Sequence, residues 1–234
     1  MTESGAGSGT REPLEGLPVP ELDAVLGQAV PFDRDRWLPL LPDASWWPGE
    51  LDGCPRVGRR PRVDRRTVFS VAARAGTVEA DRHLLVAALV WGTGTKARGV
   101  RRRGRVFAGT PVAEIDARLG AALAALRERG PVEAYRAFNN EHGIAQLGPA
   151  FFTKVLYFAG GGAGAGPYAP LILDGVVSRA LKRLGAVDGK WPEAGWRTDR
   201  YRQYLDLVHG LARQRSVRPD QVEAALFHHG GRAS

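Results

Sequence analysis

From Thr67 onward, apolar residues recur at three- and four-residue spacing, and Gly or Pro interrupts each run before it grows long. That pattern confines this part of the chain to a set of short packed helices. Val68, Val71 and Ala72 open the series. Arg82–Trp91 is very apolar, has Asp81 in the N-cap position, and is expected to form a central buried helix. Thr110-Pro111 starts a helix running to about Arg129, with Ile115, Leu119, Ala122, Leu123 and Leu126 on one face, before Gly130-Pro131 breaks it. Further helices are expected over Val132–His142, over 150–159 after a turn at Gly148-Pro149, from about Asp174, and over 198–214 and 219–228, the last capped by Asp220. No stretch alternates with period two, so the fold class is all-α.

The amino-terminal part reads differently. Residues 1–20 are rich in Gly, Ser, Pro and Glu and read as a flexible tail. Residues 21–66 carry six prolines and read as an irregular segment that packs Trp37, Trp46 and Trp47 onto the helical domain of 67–234. No apolar run of about 18 residues exists, which excludes a transmembrane helix and a membrane partner of that kind. The first residues have neither the basic start nor the apolar core of a secretory signal, so a cytoplasmic, nucleoid-associated monomer is expected. The single cysteine, Cys54, excludes internal disulfides, cysteine-rich zinc sites and four-cysteine iron–sulfur clusters. His228-His229 has no companion cluster, so no metal site is expected and the pair reads as a frayed C-terminus.

Charge points to the partner. Lys plus Arg number 33 against 25 acids, for a net charge of +8. A basic chain of this kind first suggests nucleic acid, an Arg-rich composition being the competing explanation. Arginines cluster over Arg56–Arg66 and again at Arg98, Arg101, Arg102, Arg103 and Arg105, the second cluster reading as a loop that contacts phosphate. Only four lysines occur, and one of them, Lys154, lies inside an apolar stretch. On a helical wheel it falls at the margin of an arc of Phe151, Phe152, Val155, Leu156, Phe158 and Ala159, with Thr153 and Tyr157 opposite. Two readings stay open: a snorkelling lysine that covers apolar surface, or a lysine in a cleft wall, where aromatic neighbours favour the neutral, nucleophilic amine. Asp174 stands at a helix N-cap, which keeps a carboxylate ionised and suits it to a developing cation.

The run GPAFFTKVLYFAG, a Gly-rich connection and LILDGVVSRAL together resemble the helix–hairpin–helix DNA glycosylase superfamily, most nearly its 8-oxoguanine DNA glycosylase branch. Thr153-Lys154-Val155 matches the segment of the catalytic lysine. Leu173-Asp174-Gly175-Val176-Val177 matches that of the essential aspartate, twenty residues on. Ala225-Leu226-Phe227 resembles the segment whose Phe stacks on the extruded base. The family's Gly-x-Gly is replaced by Ala150 and Phe152, its histidine after the aspartate is missing, and its amino-terminal β-domain is not evident.

The resemblance implies two helical lobes flanking a cleft and damaged double-stranded DNA as partner, with no cofactor. It also implies Lys154 and Asp174 as catalytic residues, Phe227 in the base pocket, and DNA contacts at Gly148, Ala150 and Thr153. Excision of 8-oxoguanine through a Lys154 Schiff base, with strand cleavage, is the implied activity. A non-catalytic helix–hairpin–helix DNA-binding protein and a monofunctional alkyl-base glycosylase are the alternatives.

Overall fold

The computed structural model of the chain describes residues 14–161 and 168–231. In the amino-terminal segment α1 (Leu22–Leu26), β1 (Val30–Pro31), α2 (Arg34–Trp37), β2 (Arg56–Val57) and β3 (Arg60–Val63) follow in order. β3 lies between β1 and β2 and is antiparallel to both, with Val30 opposite Val63 and Val57 opposite Arg60. Gly58 opens the two-residue β2–β3 turn with a φ of 62°, the left-handed start that a type II′ hairpin turn requires. The sequence pattern did not show this sheet, because strands of two to four residues broken by Pro31 and Pro61 are too short to reveal a period of two.

Trp37, Trp46 and Trp47 are buried, and Trp46 meets Phe107 edge to face at 5.5 Å. Residues 14–20, expected as flexible tail, are docked instead. Leu17 is buried, its carbonyl accepts from Arg215 Nη1 at 2.7 Å, and the Pro20 carbonyl accepts from Gln221 Nε2 at 2.9 Å. The rest of the expected tail, residues 1–13, lies outside the described residues, as do residues 162–167 of the Gly-rich linker.

The helical part comprises α3 (Arg65–Ala72), α4 (Val78–Thr93), α5 (Ala97–Ala108), α6 (Val112–Arg129), α7 (Pro131–Asn139), α8 (Pro149–Ala159), α9 (Gly175–Arg183), α10 (Thr198–Gln214) and α11 (Pro219–Gly231). α4 is the central helix. Leu84–Val90 are all buried, and α3, α5, α6 and α8 pack around it. Its cap is Thr77, whose hydroxyl accepts from the Ala80 amide, and not Asp81, whose carboxyl accepts from the Gly76 amide. α7 ends at Asn139 rather than His142, where the chain turns to bond the His142 amide to the Ala137 carbonyl.

Two further expectations are corrected. The arginine-rich stretch after Trp91 is a helix, α5, and not a loop. Val100, Gly104 and Phe107 supply its buried face at helical spacing, and Gly104 fits directly against Leu40. Arginine is a good helix former, so dense charge marks a solvated helix face here. Asp220 does not cap α11. Pro219 starts that helix one residue earlier, the Gln221 side chain closes the end by accepting from the Arg218 amide, and Asp220 turns into the core.

Candidate active site

α8 is buried on every side from Phe152 to Phe158. Thr153 and Tyr157, placed opposite the apolar arc by the wheel, are fully buried, and Lys154 is only 5% exposed. Its ammonium donates to the Ala150 carbonyl at 2.8 Å and to Asp174 Oδ2 at 3.1 Å, and lies 5.2 Å from the centre of the Phe151 ring. A lysine satisfied in this way is not snorkelling to water. Room for its stem comes from α4. A Cβ at Gly92 would stand 2.8 Å from Lys154 Cδ and 2.9 Å from Phe151 Cε1, so only glycine leaves this channel open.

Asp174 serves two partners with two oxygens. Oδ1 accepts from the Val176 and Val177 amides and caps α9, while Oδ2 faces Lys154. Burial alone would push this carboxyl up. The Lys154 ammonium and the Val177 and Val176 amides outweigh burial and hold it below the ordinary carboxylate range.

The irregular segment of residues 171–173 that delivers Asp174 is tied by side-chain hydroxyls. Tyr201 bonds Leu171 on both its amide and its carbonyl, Tyr204 donates to the Ile172 carbonyl at 2.7 Å, and Thr153 accepts from the Leu173 amide at 3.3 Å. Buried backbone groups outside a helix or sheet need such partners. The Thr153 side chain, expected at a DNA contact, therefore faces the interior instead. Its hydroxyl is enclosed between the Pro149 carbonyl and Leu173, where it fixes the lysine helix to the aspartate segment.

Lys154 and Asp174 open onto a cavity of about 210 Å³ that Phe227 also lines. A cavity of about 150 Å³ accepts benzene, so this one has room for a bicyclic base. The sequence did not reveal its other polar walls. Arg65, 1% exposed, reaches Gln28 Oε1 through Nε and Nη2 at 3.1 and 2.9 Å, and donates through Nη1 to the Tyr157 hydroxyl at 3.0 Å. Its Nη2 lies 2.9 Å from Glu223 Oε2, a close ion pair without hydrogen-bond alignment. The guanidinium also stacks over the rings of Trp91 and Tyr157. Tyr157 in turn donates to Asp220, which Arg218 holds.

Burial pushes the Glu223 carboxyl up, with Arg65 offsetting only part of the rise. Burial also works against the Arg65 charge, but Glu223 and Tyr157 more than restore it. Arginine's intrinsic basicity makes Glu223 the partner that yields. One signal for Glu223 was available, since it precedes Phe227 by four residues and so shares its helix face. Gln28, in an irregular segment, carried none.

A second depression, a groove of about 400 Å³, runs along the first turn of α8. Arg102, Arg103, Gly148 and Ala150 line it together, at a helix start whose amides have no intrahelical partner. The Arg103 guanidinium lies 4.0 Å over Phe151, and this half-buried position, with Arg102 beside it, lowers its pKa. Arg98, Arg101 and Arg105 are exposed on α5 and stand outside the groove lining.

A helical protein with a buried lysine–aspartate pair in a base-sized cavity, and an arginine helix beside it, has the make-up of a DNA glycosylase. Residues 23–227 match the family described as "Putative 8-oxoguanine DNA glycosylase OGG-like protein", and the chain belongs to that family. No curated protein and no solved structure matches the chain. Among the described residues no helix is long and apolar enough to cross a membrane.

Proposed function

We propose that the chain removes 8-oxoguanine from double-stranded DNA through a Schiff base on Lys154 and then cleaves the strand, as a helix–hairpin–helix glycosylase with α7 and α8 as the hairpin pair. The observation that carries this reading is the 3.1 Å contact between Lys154 Nζ and Asp174 Oδ2 at the wall of the cavity. The target nucleotide leaves the stack and its base enters the cavity. Phe227 and Trp91 offer ring surfaces to it. Because Gln28 Oε1 is taken by Arg65, the Gln28 amide nitrogen remains free to donate, and Glu223 presents a carboxyl oxygen that can accept.

Lys154 sheds a proton through Asp174, and that proton leaves with the departing base. The neutral amine then forms a bond to C1′ as the glycosidic bond breaks, and Asp174 stabilises the cationic sugar. Opening of the sugar ring gives the imine, from which β-elimination expels the 3′ phosphate. Phosphate contacts are assigned to Arg102 and Arg103 with the amides at the start of α8, and to Arg98, Arg101 and Arg105 along α5. Residues 21–66 complete the cavity through Gln28 and Val30 rather than forming a separate lobe.

Borohydride added during reaction with an 8-oxoguanine duplex should trap a covalent protein–DNA adduct. Lys154→Gln should abolish the adduct while duplex affinity stays within about tenfold, since one cation is lost. Normal trapping by that variant would assign the nucleophile to another amine. Excision without any trapping in the wild type would replace the lyase with a monofunctional glycosylase.

A further inference from the structure

We infer that the β2–β3 hairpin is a second nucleic-acid contact, gripping the duplex phosphates beside the extruded nucleotide. The inference rests on the glycosylase reading for its geometry at the lesion, but not for its charge. Arg56, Arg59 and Arg60 surround the turn, and among the described residues no carboxylate lies within 4 Å of their guanidinium groups. They line one groove of about 400 Å³. Asp33, Asp35 and Asp52 share that groove, but Arg36 engages Asp33 and Arg34 engages Asp52. Asp35 is the one acid of the groove not held by an arginine, so three neighbouring cations keep a surplus of positive charge and repel one another unless a further anion joins them. Val57, at the same turn and opposite Arg60, is 65% exposed, in a position that a partner seated on the turn would cover.

Placement supplies the second argument. Val30, which pairs with Val63 of β3, lines the Lys154 cavity, and β3 runs from there to Arg60. Three residues of strand span about 10 Å, or roughly three base-pair steps. Gly94, on the same cavity rim, sits against Val30, and the chain continues from it into α5. Arg36 bonds the Thr95 carbonyl, and Leu40 fills the notch at Gly104. The hairpin and the arginine helix therefore rise from one rim, and α2 with the turn after it is braced to the arginine helix, so a duplex lying over the cavity would meet both.

The test is duplex affinity against salt, measured on undamaged DNA that extends well beyond the cavity on both sides. Arg59→Ala/Arg60→Ala should lower the slope of log affinity against log salt by about 2, on the order of 0.9 per phosphate contact, with an unchanged thermal midpoint. Val57→Asp, which adds an anion to an exposed position, should weaken binding without unfolding. Arg127→Ala/Arg129→Ala, at the exposed end of α6, removes the same charge and should leave the slope as it was.

An unchanged slope for the hairpin pair, or an equal fall for the α6 pair, would overturn the inference. Hairpin-dependent binding in a protein that never excises or traps would sustain this contact and defeat the glycosylase reading. Normal trapping with a silent hairpin would do the reverse.

Discussion

Arg59 and Arg65 belong to one basic stretch, yet the fold gives them opposite surroundings. Arg59 hangs in solvent at a hairpin turn, while Arg65 is enclosed at the heart of the cavity by Gln28, Tyr157, Glu223 and Trp91. The same contrast separates the arginines of α5 from Lys154. Cations inside the molecule are each matched to an acceptor, because an unpaired buried charge is costly. Cations on the rim are largely unmatched, because water supports them until a polyanion arrives. Interior cations should therefore govern stability and chemistry, and rim cations affinity.

The sharpest way to break this contrast is Arg65→Ala. It leaves Glu223 buried without its counter-ion and removes the donors that hold Gln28 and Tyr157. A loss of about 3–5 kcal/mol is expected, enough to unfold a marginal domain. Denaturant melts should show it, with partial recovery when Glu223→Gln removes the stranded charge. A loss under about 1 kcal/mol would mean that the cavity cluster is not structurally coupled.

Asp174→Asn should spare the fold and strike the chemistry. Asn caps a helix about as well as Asp, so α9 should hold. Excision should fall by roughly 10²–10³-fold as the carboxylate opposite Lys154 disappears. The wild-type carboxyl is held below its unfolded value, so the ion pair contributes fully above about pH 4 and is lost as pH falls through the folded-state value. Wild type should therefore lose stability in acid relative to Asp174→Asn. Parallel acid profiles, or normal excision by the variant, would reduce Asp174 to a cap.

Neutralising Arg101, Arg102 and Arg103 to Gln should have the smallest effect on the fold, about 1 kcal/mol or less. It should lower the salt slope for duplex binding by about 2–3. A large drop in thermal midpoint would blur the distinction between rim and interior.

Much of this molecule was legible in its residues. The boundaries of α6, α8 and α9 follow from apolar spacing and from Pro and Gly at their ends, signals that act within a few residues. Asp174 was readable as a cap for the same reason. α5 was missed because its apolar positions are sparse among arginines, and the short sheet because its strands are too brief to alternate.

The sequence by itself determined a helical core, a basic composition and, through a family resemblance, the pairing of a lysine inside one helix with an aspartate at the cap of the next. Only the tertiary structure decided what surrounds them. Gln28, Arg65, Tyr157 and Asp220 meet across separations of 37, 92 and 63 residues, and nothing local to any of them signals the encounter. Helix periodicity and capping are short-range and written in neighbouring residues. A cavity is formed by distant segments whose packing must leave space and match every buried charge, and that match exists only once the chain has closed on itself.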